Sequence, residues 1–562
     1  MSPELMLGPL LRYVDSTSAT IWVETSAPCT VTVLQNTTRT FSIEGRHYAL
    51  VIVTGLEPAT VTQYQVHLDG AQAWPLPDST FPPSVIRTGR ASGNASILVG
   101  SCRAAAPHEA PYNLELAFDT DGRGVDTLWA HAHRMYLEPN TEWPDLLLLL
   151  GDQIYADDSS PEARKRIETR GDVTGAELES EIVGRYEEYR WLYLEAWSKP
   201  WERWLLSTVP SAMIFDDHDM IDDWNISASW VHDIRTEPWW ERHVIDGLMS
   251  YFVYQHLGNV SPDVIAEEGL LEALVGVDDG TELLRQWATG SEQSTPHVGG
   301  YRFSYCRSVG DVSVVVIDCR NARVLSDSQR LMVGPQEWDW VAEQARAAEG
   351  HLVLATSVPV YIPDGLHDLQ AWNERLCDGR FGDRVASWSE KLRRSLDLED
   401  WSAFGKSYQQ FASLVDELRY RYDSPRSIVV ASGDIHFSYA ARVPSRYGAD
   451  READPLIADP PVWQIVSSPI RNALIPHERS VLRLSLGRLG RVAGDVLRRS
   501  AGLRSTRPGI AMQAGPLFAN NMVELHYRGS EVEMVIEQST NDSSGTPSLD
   551  AVVSLALAAP SS

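Results

Sequence analysis

The chain has 562 residues, 43% of them hydrophobic and 22% charged, and a formal net charge of −29. That length allows two to four domains and an ample core, and the acid excess argues against sequence-independent nucleic-acid binding by the body of the protein. The five cysteines, Cys29, Cys102, Cys306, Cys319 and Cys377, are widely spaced and contain no CxxC pair, which argues against a disulfide framework. The start, Met1 to Leu5, has no basic n-region or long apolar stretch, so a cytoplasmic location is the expectation.

Residues 1–90 read as an all-β sandwich domain of the immunoglobulin or fibronectin III kind. Alternation marks Ala19–Val23 and Val31–Leu34, with further strands expected at His47–Val53 and Thr62–Leu68. The Pro-rich stretch Trp74–Pro83 reads as a linker. Residues 91–540 then alternate strands with helical patterns, the signature of a layered α/β domain. Strands are expected at Ser96–Val99, Asp145–Leu150, Ala212–Phe215, Val312–Ile317, Leu352–Thr356 and Ser427–Ala431, all nearly unbroken apolar runs suited to burial on both faces. Helices are expected at Ala176–Leu206, Trp239–Leu257, Pro335–Glu349 and Gln409–Tyr420. The Trp-rich region 225–300 is too long for a simple connection and reads as a helical insertion beside the active site. Around 475–505, arginines and apolar residues recur at helical spacing, which describes a basic amphipathic helix. Such a helix is expected to border the active-site mouth and steer anionic substrate, or to make peripheral membrane contact, or to pack over the acidic body. Met522–Glu537 alternates like a final strand pair. The Ser/Thr/Ala-rich tail 541–562 is expected to be disordered.

Four apolar runs end in residues able to ligate a metal. Ile97-Leu98-Val99 leads into Gly100-Ser101-Cys102-Arg103, and five leucines lead into Gly151-Asp152-Gln153-Ile154-Tyr155. Met213-Ile214-Phe215 leads into Asp216-Asp217-His218-Asp219, and Ile428–Ala431 into Ser432-Gly433-Asp434-Ile435-His436. In an open α/β sheet, ligands bind outside the carboxyl ends of the strands. A carboxylate at Asp152 loses water unless a cation or donors compensate it. A phenolate at Tyr155 needs a strong Lewis acid and points to a trivalent metal. Adjacent Asp216 and Asp217 point apart, so one of them reaches a metal, while His218 can act as a general acid. In an extended segment Asp434 and His436 face the same side. Asp222 and Asp223 read as supporting or solvated groups. The implied chemistry is metal-assisted hydrolysis, with phosphate esters as substrates.

These segments, together with Asp318-Cys319-Arg320, Gln336–Trp340 and Val466-Ser467-Ser468-Pro469-Ile470, resemble the signatures of the PhoD-like (alkaline phosphatase D) family of calcineurin-like metallophosphoesterases. The resemblance runs from about Ala95 to Pro469. It implies a metallophosphoesterase-type α/β/β/α sandwich. It also implies that Cys102, Asp152, Tyr155 and His436 hold one metal, Fe³⁺, and that Asp152, Asp217 and Asp434 hold a second, divalent one, Ca²⁺, with Asp152 bridging. Thiolate and phenolate suit Fe³⁺, and hard carboxylates suit Ca²⁺. By the same resemblance Arg103 clamps a substrate phosphate oxygen and His218 protonates the leaving group. The expected reaction is in-line attack by a metal-activated hydroxide on a small-molecule, lipid or polymer phosphate ester. The contrasting expectation is a non-catalytic or membrane-peripheral binding protein that keeps a metal site for stability. Oligomeric state is not legible in the sequence.

Overall fold

The computed structural model describes residues 2–558 apart from 90–92, 140–142, 170–181, 294–300, 326–328, 446–458, 475–478, 480–481, 484 and 543–544. The start of the long helix expected from Ala176, and parts of the insertion and of the basic segment, lie outside the described residues.

The N-terminal region forms two four-stranded antiparallel sheets and a two-stranded one. Alternate residues Ile21, Val23, Val31, Val33, Val51 and Val53 point into a small shared core, as a period of two requires. Strand Ala19–Thr25 pairs with Arg46–Val53 throughout its length. The expected strand Thr62–Leu68 is broken into Val61–Gln63 and Val66–Leu68. The unit is tied to the rest of the chain by buried polar contacts. The Arg12 guanidinium donates to the Gln255 carbonyl (2.7 Å) and to Asn259 Oδ1 (2.9 Å). Arg190 meets Glu24 at 2.5 Å.

The remainder is built on two packed sheets. One has the order Ser211–Ile214, Leu146–Leu150, Ala95–Gly100, Asn521–Arg528, Glu531–Asn541, Pro547–Ala558. Its first three strands are parallel and the rest antiparallel. The other has the order Tyr305–Val309, Val312–Ile317, His351–Thr356, Ser427–Ser432, Val462–Val466, Ser438–Arg442, Ala511–Leu517. In its central strands, Val314, Val316, Val353, Ala355, Val429 and Ala431 join the core that holds the five-leucine strand. Their alternates Val315, Ile317, Leu352, Leu354, Ile428 and Val430 pack against Trp338, Val341, Phe411 and Val415 of helices Pro335–Ala347 and Gly405–Arg419. Strand periodicity therefore sorts each residue to a sheet–sheet or a sheet–helix layer. Helices Thr127–Leu137 and Pro200–Thr208 contribute Leu128, Ala132, Leu205 and Leu206 to the core of the first sheet. The result is an α/β/β/α sandwich.

Pro200 splits the long helix expected to Leu206 into Tyr186–Trp197 and Pro200–Thr208, because proline tolerates only the first helical turn. Within 225–300 the described residues form helices Ala228–Ile234, Trp240–Tyr254, Pro262–Glu268, Leu270–Val275 and Thr281–Gln293. The expected disordered tail is corrected: Pro547–Ala558 is an edge strand paired antiparallel with Glu531–Asn541. Its small residues masked a β-branched and aliphatic run, Val552-Val553-Ser554-Leu555-Ala556-Leu557, whose Leu557 is buried. Among the described residues no helix is long and apolar enough to cross a membrane.

Candidate metal centre

The carboxyl ends of strands Ala95–Gly100, Leu146–Leu150, Ser211–Ile214 and Ser427–Ser432 converge where the two sheets meet. Backbone bonds fix the convergence. Cys102 N–H donates to the Gly151 carbonyl (3.3 Å), Arg103 N–H to the Asp152 carbonyl (3.1 Å), and Gly433 N–H to the Ser357 carbonyl (2.7 Å). The approach is close enough to demand glycine. A Cβ on Gly151 would lie 2.5 Å from Asp216 Cβ, and one on Gly433 would lie 2.7 Å from the Leu150 carbonyl oxygen. Cys102, Asp152, Asp434 and His436 all adopt positive φ, at 56°, 52°, 68° and 54°. Left-handed backbone costs a non-glycine residue about 1–3 kcal/mol. Four such residues, one from the cysteine loop, one from the Asp152 loop and two from the Asp434 loop, are sustained only because the surrounding strands dictate where their side chains must go.

Three sets of ligand atoms cluster there. Cys102, Asp152 and His436 each offer an atom within 4.8 Å of the others, as do Asp152, Asp217 and His218, and Asp216, Asp217 and Asp434. Asp152 and Asp217 are shared between sets. Both carboxylate oxygens of Asp152 are buried without a hydrogen-bond partner, and so is Asp217 Oδ1. A buried bare carboxylate costs several kcal/mol unless a cation or donors face it. Burial first, then Asp216 and Asp217, push the Asp152 carboxyl far above its usual range, although His218 pulls it down. Burial and the charges of Asp152 and Asp434 raise the Cys102 thiol, and burial with Asp152 and Cys102 raises the Tyr155 phenol. The arrangement is a concentration of groups that ionise together only around a positive ion. Burial lowers His436 to about 4, leaving the neutral imidazole a metal needs. Tyr155 is held by Asn472, whose amide donates to its hydroxyl at 2.9 Å.

His218 lies against the Tyr155 ring, with centroids 4.7 Å apart, and its Nδ1 sits 3.0 Å from Asp157. Burial alone would depress this imidazole, but Asp157, Asp217 and Asp152 hold it well above its ordinary value. It stands at the edge of the ligand cluster, where its Nδ1 contact with Asp157 favours the protonated ring.

Arg103, expected to clamp a substrate phosphate, is engaged elsewhere in this structure. Its side chain turns away from Asp152 into a closed cage. Nη2 meets Asp126 Oδ2 at 2.7 Å and Glu202 Oε1 at 2.8 Å, Nε meets Asp126 Oδ2 at 3.0 Å, and Nη1 donates to the Ala196 carbonyl at 2.8 Å. Every guanidinium nitrogen is engaged and the residue is 1% exposed, so the side chain is committed to this cage.

Two further residues organise the site. The Asp219 carboxylate accepts the backbone N–H of Asp152 (2.9 Å), Gln153 (3.2 Å) and Asp216 (2.9 Å), and the Gln255 side-chain amide (3.1 Å). It binds the Asp152 loop to the Asp216 loop and links both to the helical insertion through Gln255. Arg320 is fully buried among Asp216, Glu399, Asp217 (3.2 Å) and Asp434 (3.7 Å). It supplies fixed positive charge beneath the carboxylates, which a second ion would share with it. The sequence signal for Asp219 was an acid one turn after the Asp216-Asp217 pair. For Arg320 it was a cation ending an apolar strand.

Beside Tyr155 opens a cavity of about 160 Å³, lined in part by Tyr112, Arg123, Ser159 and Arg164. Arg123 donates only to the carbonyls of Thr120 (3.4 Å) and Gly122 (3.3 Å) and has no ion pair among the described residues.

Thiol, phenol, imidazole and carboxylates converging at the carboxyl rim of two packed sheets are the makings of a hydrolytic metal centre. Comparison with known families narrows the class. A profile described as PhoD-like phosphatase matches residues 127–485, and one described as a domain of unknown function (DUF7800) matches residues 2–86. The chain belongs to the PhoD-like phosphatase family and is a metal-dependent phosphoesterase. A solved structure of PhoD is similar over 98% of this chain and 90% of its own, at 12% identity and a TM-score of 0.57. A purple acid phosphatase from yellow lupin (Lupinus luteus) seeds is more loosely similar, over 99% of this chain and 74% of its own, at 9% identity and a TM-score of 0.46. No curated protein matches the chain.

Proposed function

We propose that the protein hydrolyses phosphate monoesters, diesters or both at a two-metal centre. Cys102, Asp152, Tyr155 and His436 would hold Fe³⁺, and Asp152, Asp217 and Asp434 a divalent ion, Ca²⁺. The observation that carries this reading is Asp152, whose two buried oxygens have no partner in the protein and which clusters with Cys102 and His436 on one side and with Asp217 on the other. When bound, the ions supply Lewis acidity, lower the pKa of water and neutralise phosphate oxygens. The chain's own residues do the rest. His218, whose protonated form Asp157 favours, donates a proton to the departing alkoxide. Tyr155, held by Asn472, walls the edge toward the cavity, and Arg123 there offers a charge for an anionic part of the ester. Asp219 and Arg320 hold the carboxylates in place, so little reorganisation is needed as charge develops. Residues 1–90 form an accessory β domain in this reading, and residues 91–540 the catalytic one.

Turnover of a chromogenic monoester and a chromogenic diester by wild type and Asp152→Asn tests it. Hydrolysis of at least one ester, lost in the variant, is expected. Equal turnover by both proteins would remove the centre from the reaction.

A further inference from the structure

The last helix of the basic amphipathic segment turns its aliphatic stripe outward. Helix Arg488–Ser500 seats its smallest residues inward: a Cβ on Gly494 would lie 2.8 Å from the Gly365 carbonyl oxygen, and one on Gly365 would lie 2.6 Å from the Gly490 carbonyl carbon. Ion pairs pin the same side, Arg491 to Asp364 at 3.1 Å, Arg498 to Asp368 at 3.5 Å and the following Arg507 to Asp368 at 2.6 Å. The helix is thus anchored on Asp364–Cys377 by glycine contact and salt bridges, not by its apolar face.

That apolar face points to solvent. Leu489, Val492 and Val496 are 73%, 63% and 62% exposed, a stripe at i, i+3 and i+7. On a 100° wheel the stripe lies well over 90° from Gly490 and Gly494, and Arg488 and Arg499 fall at its edge. Between residues 479 and 507 there are eight arginines and one acid, in a chain whose net charge is −29. An aliphatic stripe edged by arginine is the pattern of a helix that lies in a membrane interface. A second copy of the chain fits less well. One face of a helix this length covers about 200 Å², far below the ~800 Å² per partner of a stable interface. The acidic body does not prevent membrane approach, because charges beyond a Debye length of about 8 Å are screened at physiological salt.

We propose that this helix docks the protein on an anionic lipid surface, with Leu489, Val492 and Val496 entering the headgroup boundary and Arg488 and Arg499 meeting lipid phosphates. The surface lies at the same end of the sheet as the metal ligands. Strand His351–Thr356 runs into Ser357, whose hydroxyl reaches Asp216 at 3.1 Å, and then into the helix that begins at Asp364. The proposal does not depend on which ester is cleaved.

Co-sedimentation of the full chain with vesicles of phosphatidylcholine alone, or mixed with phosphatidylglycerol, tests it at physiological salt. Wild type should pellet with the mixed vesicles and stay in solution with phosphatidylcholine. Leu489→Asp, Val492→Asp and Val496→Asp combined should abolish binding. Arg488→Gln with Arg499→Gln should weaken it about tenfold or more, at ~1 kcal/mol per arginine. These side chains are exposed, so circular dichroism and turnover of a soluble ester should match wild type. Wild type that never pellets, or a triple variant that pellets equally, overturns the proposal. So does a concentration-dependent dimer abolished by the same three substitutions, which would make a second copy the occupant.

Discussion

Cys102 and Arg103 are consecutive, yet they belong to opposite kinds of charge cluster. Cys102 faces Asp152 and His436, where acids crowd together with unpaired oxygens and four residues of the rim hold positive φ. Arg103 faces Asp126 and Glu202, where its cationic nitrogens meet carboxylates at hydrogen-bond distance. In the second cluster Arg103 holds the Asp126 carboxyl far below its usual value against the effect of burial. In the first cluster both oxygens of Asp152 lack a partner, whereas in the second a buried arginine bridges the two carboxylates. Carboxylates without a facing cation mark a place suited to a ligand, and carboxylates bridged by a buried arginine mark one that serves the fold.

Substitutions should separate the two. The largest effect is expected at Asp152. Asp152→Asn should lower kcat/KM by a factor of about a thousand or more, since metal ions supply several kcal/mol of charge stabilisation. The metal-free variant should nevertheless melt no lower than metal-free wild type, because it loses a carboxyl whose ionisation burial already penalises. Arg103→Met should do the reverse. Two buried carboxylates would lose their partner, at about 3–5 kcal/mol of stability. Denaturant unfolding would show this, and folded variant should retain its metal. If Arg103→Met were as stable as wild type and failed only in KM, the cage would not be structural.

A smaller effect is expected at His218. His218→Gln should lower kcat about a hundredfold, the lower end for loss of a general acid, with metal content unchanged. The effect should be least for esters with the best leaving groups. Smallest is a pH effect remote from the centre. Burial lowers His256 from the ordinary 6.5 to about 3. The folded state therefore favours the neutral ring. Stability from it is complete above pH 6.5 and is lost as pH falls toward 3. At pH 5 the loss is about 2 kcal/mol. Between pH 7 and 5, His256→Phe should lose that much less than wild type in urea melts.

The contrast also explains what could be read beforehand. Apolar runs ending in Gly-Asp, Asp-Asp-His and Gly-Asp-x-His displayed the strands and the rim, because burial on both faces leaves a continuous signal. The surroundings of Arg103 were not legible, because adjacency to Cys102 does not say where a long side chain turns. Its partners Asp126 and Glu202 are 23 and 99 residues away. Asp219 and Arg320 escaped notice as organisers because their work is done through backbone N–H groups and carboxylates brought near only by folding. The tail was misjudged by composition, which ignores the partner strand that Glu531–Asn541 provides. In the basic helix the amphipathic pattern was legible, but which face would be buried was not: two glycines outcompeted three aliphatic residues because they allow contact with Gly365.

The most direct test of the metal centre is metal analysis of the purified protein alongside its visible spectrum, for wild type and Tyr155→Phe. Wild type should contain iron and a divalent metal and absorb through phenolate-to-iron charge transfer, and Tyr155→Phe should lose that band. A colourless, iron-free wild type that is fully active would contradict the assignment of Cys102, Asp152, Tyr155 and His436 to Fe³⁺.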